Sequence, residues 1–286
     1  MARILVVHGI GNTFSGEMEL RGHWHRALSD GLLRVGHQPL PPEEDCYCPF
    51  YGDVFRPGAP LGTGREPTVD DLDESDDQRM LVDAVWRAAA ETDPDVPRPE
   101  EYGETLFRSP RFIERALNSL ARSKFLTDLV PLQFLGDLEQ VVHYLNDAGT
   151  RARILNRVFP HLGAETKVMI GHSLGSVVAY EALCAQPVQG VTFVSLGSPL
   201  GIRNVVFDKL TPPPSAKGRG FWPSGVSAWI NVAARGDIVA AQKELSALFG
   251  ARVTDVLIDS GWHAHDSARY LNAAQTGAAI ARALTQ

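Results

Sequence analysis

The sequence predicts an α/β protein built on a mostly parallel, doubly wound sheet flanked by helices, and three observations predict it. Short apolar runs rich in β-branched residues recur at 4–7, 167–170, 191–196, 228–233 and 252–259, as suits parallel strands buried on both faces. Stretches with helical spacing separate them, at 22–35, 139–158, 173–185, 239–249 and 266–284. Such alternation leads to a sheet with helices on both sides. At 286 residues the chain is expected to form one large domain over 1–286, with insertions, rather than two full-sized domains.

The elements follow in order. Residues 4–7 read as the first strand; four apolar residues before His8 are too few for a signal-peptide core or a membrane span. Three cysteines, an odd number, argue against a disulfide framework and fit a reducing compartment, so a cytoplasmic protein is expected. In the helix at 22–35, His23 and His25 are two apart and cannot share a face. Residues 46–50 offer a further strand on which Cys46 and Cys48 face the same side; a closed zinc site needs four ligands and no matching pair follows, so no metal is expected.

The alternation breaks at 56–136. This insertion opens with a Pro/Gly-rich loop, passes an acidic run at 70–77 that reads as a solvated helix entrance, and continues into helix-like stretches at 79–91 and 111–130. In the second stretch Phe112, Ala116, Leu117 and Leu120, then Phe125, Leu126, Leu129 and Val130, recur at three- and four-residue spacing. That apolar face packs on the sheet, lines an apolar substrate site as a lid, or makes a subunit contact. A second, irregular insertion is expected at 201–225, where Pro212-Pro213-Pro214 and Phe221-Trp222-Pro223 interrupt regular structure.

Gly171-His172-Ser173-Leu174-Gly175 carries the functional signal. A strand precedes it and a helix follows, so the serine sits on a sharp strand-to-helix turn that only small flanking residues permit. A serine hydroxyl is a weak nucleophile at neutral pH and needs a base, which in turn needs an acid to orient it. Asp237 follows the 228–233 strand and either supplies that acid or caps the next helix; Asp259, after the following strand, is the runner-up. Ser260-Gly261-Trp262-His263-Ala264-His265-Asp266 then offers two histidines. His265, beside the helix start, is the favoured base and His263 the alternative. A developing oxyanion needs backbone donors: the Leu174 amide at a helix N-terminus and the Ile10 amide in the loop His8-Gly9-Ile10-Gly11-Asn12. That loop lacks the third glycine and acidic partner of a dinucleotide site.

Together, Val6-Val7-His8-Gly9-Ile10-Gly11, Gly171-His172-Ser173-Leu174-Gly175, Asp237 and His265 resemble the α/β-hydrolase superfamily, especially its lipase- and esterase-like branches with an HG oxyanion loop. The resemblance runs from His8 to the last helix, outside the 56–136 insertion. It implies an α/β-hydrolase fold with a helical, lid-like insertion, Ser173 as nucleophile, Asp237 as acid, His265 as base, and Ile10 and Leu174 as oxyanion donors. The antiparallel strands that precede the HG loop in many relatives are missing, so the sheet is expected to be trimmed at that edge and open to a partner or another subunit.

The expected activity is a serine hydrolase cleaving a carboxylic ester through an acyl-serine intermediate, with a small-molecule or lipid-like acyl substrate and no cofactor. An acyltransferase or thioesterase would use the same acyl-enzyme, and a non-catalytic ligand receptor is the reading from another class. The formal charge of −7 makes nucleic acid and anionic membranes poor partners, and no stable membrane insertion is expected.

Overall fold

Successive residues of a strand point to opposite faces, and β1 (Ile4–Val7) buries both. Ile4 and Val6 enter one apolar layer, Leu5 and Val7 another. The computed structural model, which describes residues 3–56, 75–103, 106–109, 111–123, 131–261 and 263–285, builds an α/β fold around that division. Six strands form an open sheet in the order β2-β1-β3-β4-β5-β6, with every ladder parallel. They are β1, β2 (Cys46–Tyr47), β3 (Val168–His172), β4 (Val191–Leu196), β5 (Val226–Ala234) and β6 (Val253–Ile258).

On one face α1 (Glu17–Arg34), α8 (Ser267–Asn272) and α9 (Ala274–Leu284) pack Trp24, Leu28, Leu271 and Ile280 against Ile4, Val6, Ile170 and Val232. On the other lie α2 (Asp76–Thr92), α3 (Phe112–Leu120), α4 (Pro131–Asn146), α5 (Ala148–Val158) and α6 (Leu174–Ala185). Trp86, Phe112, Tyr144 and Val178 there share a layer with Leu5, Met169, Phe193 and Trp229. Burying side chains of this size contributes about 1.5–3 kcal/mol each.

The strands fall where the apolar runs place them, but several helices are shorter than periodicity alone predicts. The stretch at 139–158 is two helices, because the Asp147 carboxylate accepts from the Gly149 and Thr150 amides at 3.1 and 2.9 Å and starts α5 afresh. The helix at 239–249 shrinks to α7 (Ser246–Phe249), since the Asp255 carboxylate takes the Leu245 and Ser246 amides at 2.9 and 3.1 Å. The last helix breaks at Ala273, whose backbone is extended (φ −66°, ψ 136°). The predicted strand at 46–50 retains two residues. Those two pair outside β1, so the two-residue β2 forms that edge of the sheet.

The 56–136 insertion, where described, contributes core. Leu81, Val82, Val85, Trp86, Ile113 and Ala116 are buried in the main apolar layer, and Ser75 caps α2 through its side chain. Residues 57–74, with most of the acidic run, and 124–130, with the second half of the apolar stripe, lie outside the described residues. Residues 201–225 contain only short 3-10 turns, and the buried Glu181 anchors them: its carboxylate accepts from the Thr211 amide at 2.8 Å and the Tyr144 hydroxyl at 2.6 Å. Cys46 and Cys48 are both buried in the α1 layer, and burial pushes the Cys46 thiol up to about 12. Among the described residues no helix is long and apolar enough to cross a membrane.

Candidate functional site

The chain runs from β1 outward to β2 and then returns past β1 to β3, so the strand order reverses between β1 and β3. In open parallel sheets, connections leaving the strand ends at such a reversal splay apart and leave a crevice. Here a cleft of about 320 Å³ opens there. Ile10 follows β1, Ser173 follows β3, Asp237 follows β5 and His265 follows β6, and all four line it.

Ser173 occupies the turn between β3 and α6 with φ 53° and ψ −131°, a conformation costing about 1–3 kcal/mol in a residue other than glycine. The turn is held from several sides. The Ser173 amide donates to the Leu196 carbonyl at 3.0 Å, and the Ser176 hydroxyl, 2.6 Å from both, bridges the Ser173 carbonyl and Ser198 Oγ. Gly175 brings α6 against the backbone of β1: a Cβ there would collide with the carbonyls of Val7 and His8. Leu174 is the first residue of α6, where amides have no intrahelical carbonyl to meet.

The loop after β1 lies directly against the serine, since a Cβ on Gly9 would sit 2.8 Å from Ser173 Cβ. Its carbonyls are engaged within the loop. Asn12 Nδ2 donates to the Gly9 and Ile10 carbonyls, both at 3.1 Å, and His8 Nδ1 donates to the Gly9 carbonyl at 2.7 Å. His8 Nε2 accepts from the Tyr51 amide at 3.2 Å, the Tyr51 hydroxyl donates to the His8 carbonyl, and the two rings stack 3.9 Å apart. Burial holds the His8 imidazole neutral, lowered to about 4, which fits one donating and one accepting nitrogen.

Asp237 and His265 form a hydrogen-bonded pair, Nδ1 to Oδ2, at 2.8 Å. The carboxylate is fully buried yet richly satisfied: the Tyr270 hydroxyl donates to Oδ2 at 2.6 Å, and the Val239 and Ala240 amides reach Oδ1 at 2.9 and 3.3 Å. Burial alone would raise this carboxyl. The charge and hydrogen bond of His265, the Lys243 ammonium and the Tyr270 hydroxyl outweigh it and hold Asp237 below the ordinary carboxylate range. Gly197, at φ 53°, leaves the room the pair needs, because a Cβ there would come within 2.7 Å of Asp237 Oδ2 and 3.2 Å of His265 Nδ1.

Asp237 thus receives amides in the manner of a cap, although no helix follows it. The alternatives sort by position. His263 is exposed and does not line the cleft, while Asp259 is exposed and accepts the Gly261 amide at 3.0 Å. Among the described residues, Ser173 Oγ and His265 Nε2, both buried, make no hydrogen bond, to each other or to any other group. The arrangement therefore holds an unpaired hydroxyl and an unpaired imidazole nitrogen in one cleft, with a carboxylate fixing the far side of the imidazole.

Sequence reasoning missed several supporting residues. Tyr270, read only as part of the last helix, anchors Asp237. His172, read only as a motif filler, is buried and donates from Nε2 to the His265 carbonyl at 2.9 Å, which ties the loop of His265 to the turn at Ser173. Burial, with the neighbouring His265 charge, lowers its imidazole to about 3. Asp137, on α4, also lines the cleft, and nothing in its local sequence marks it. Comparison with protein-family models, with curated proteins and with solved structures found no match for this chain.

Proposed function

We propose that the protein is a serine hydrolase of carboxylic esters, with an α/β-hydrolase-like site and Ser173, His265 and Asp237 as its triad. One observation carries the reading: a serine in strained backbone geometry on a strand-to-helix turn shares a cleft with a histidine whose other nitrogen is bonded to a buried carboxylate.

In this mechanism Ser173 Oγ attacks the ester carbonyl carbon as His265 Nε2 takes its proton. Asp237 keeps Nδ1 protonated and stabilises the imidazolium. The amides of Leu174 and Ile10 receive the oxyanion, each such donor being worth about 3 kcal/mol in the transition state. Collapse breaks the bond to the alkoxide, which leaves with the proton from His265. Water, deprotonated by the same nitrogen, then attacks the acyl-Ser173 ester and releases the acid. The unformed bond between Ser173 and His265 is compatible with this course, because catalytic hydrogen bonds often tighten only when substrate is bound.

Labelling with a fluorophosphonate probe tests the reading. Wild-type protein is expected to label at Ser173, and Ser173→Ala to remain unlabelled. Failure of the wild type to label, or equal labelling of the variant, would overturn it.

A further inference from the structure

Asp137 puts a second carboxyl into the cleft that holds Ser173 and His265. The other, Asp237, is saturated by His265, Tyr270 and two amides; Asp137 is not. Among the described residues its one hydrogen bond is from Gln140 Nε2 to Oδ1, at 3.3 Å, and neither lysine nor arginine lines the cleft. The surrounding wall is largely apolar, with Leu20, Trp24, Ile238 and Val239. Burial raises the Asp137 carboxyl to about 6, and the charge of His265 offsets this only in part.

Its position matters as much as its isolation. Oδ2 lies beside the loop after β1, 3.3 Å from where a Cβ on Gly11 would be. A negative charge there opposes the oxyanion that this loop is proposed to stabilise. A cation brought by the substrate removes that opposition.

We propose that Asp137 is a subsite for a cationic group, so that the favoured substrate is an ester carrying an ammonium or guanidinium a few atoms from the scissile carbonyl. The hydrolytic part of this inference rests on the serine-hydrolase reading; the binding part does not. The discriminating experiment uses p-nitrophenyl esters whose acyl chains end in trimethylammonium, in its neutral isostere tert-butyl, or in carboxylate, assayed at about pH 8. For wild type we expect kcat/KM roughly tenfold higher for the cationic than for the neutral ester, and lower still for the anionic one. Asp137→Asn should bring the three close together. Equal rates on the cationic and neutral esters in the wild type, or a preference that survives in Asp137→Asn, overturn the proposal.

Calorimetry with Ser173→Ala protein and the same cationic and neutral esters reads the preference without turnover. It therefore decides the inference even if no ester is hydrolysed, an outcome that would instead count against the hydrolase reading. Equal affinities would sink the cationic subsite; tighter binding of the cationic ester would sustain it.

Discussion

Two neutral histidines built into the site should make the protein acid-labile by a predictable amount. His8 and His172 are buried and lowered to about 4 and about 3, whereas in the unfolded chain each would titrate near 6.5. The folded protein therefore binds fewer protons, and stability falls as pH is lowered through the range where the unfolded chain takes one up. The contribution of each ring is complete above about 6.5 and drains away as pH drops toward its folded value. Between about pH 7 and about pH 4.5 each histidine should remove about 2–3 kcal/mol, or about 5 kcal/mol together, comparable to the whole stability of a marginal domain.

Urea unfolding at the two pH values measures the loss. Native carboxylates lose stability over the same range, so a variant must isolate the histidine share. His172→Gln keeps an N–H donor for the His265 carbonyl but cannot titrate, and should cut the pH-dependent loss by about 2–3 kcal/mol. If His172→Gln shows the same pH dependence as wild type, burial of a neutral imidazole is not what weakens the protein in acid.

The other predictions concern the acid–base pair. Tyr270→Phe removes a donor from Asp237 and leaves the buried Ala234 amide, now 2.8 Å from the phenol oxygen, without an acceptor. It should cost about 1–3 kcal/mol in urea unfolding and lower kcat, and an unchanged stability would count against it. Gly197→Ala should lose about 1–2 kcal/mol from its left-handed backbone and also lose ester hydrolysis as Asp237 and His265 are pushed apart. Gly218→Ala, at φ 67° and with its nearest neighbour 3.7 Å from the new Cβ, should show the stability loss alone; equal activity losses in both variants would refute the steric argument. His265→Ala should cut p-nitrophenyl ester hydrolysis by roughly 1,000-fold or more, while His263→Ala stays near wild type, and the reverse result would transfer the base role to His263.

Much of the sheet was readable because a strand buried on both faces is mostly apolar; β1 is wholly so, and β3, β4 and β5 carry only a few polar residues, such as His172, Ser195 and Asn231, within largely buried apolar runs. That Ser173, Asp237 and His265 would come together was readable because each follows a strand of one parallel sheet, and the same ends of those strands open on one cleft. Helix lengths were not. Periodicity reports which face is apolar but not where a side chain such as Asp147 or Asp255 captures backbone amides and ends the pattern. Asp137 was hidden for another reason. It is one charged residue on a helix, and only the folding of α4 over the end of β1 gives it a neighbour of consequence.

The contact of Gly175 with the carbonyls of Val7 and His8 implies a mechanical asymmetry in the cleft. One jaw, made of the turn at Ser173 and the loop after β1, is packed backbone to backbone and cannot shift without moving two adjacent strands. The opposite jaw, at 263–266, is tied through side chains, chiefly His172 to the His265 carbonyl and Asp237 to the imidazole. Whatever movement closes the gap between His265 and Ser173 must therefore come from that jaw or from rotation of the serine side chain. A substrate would meet a stationary anvil and an adjustable hammer.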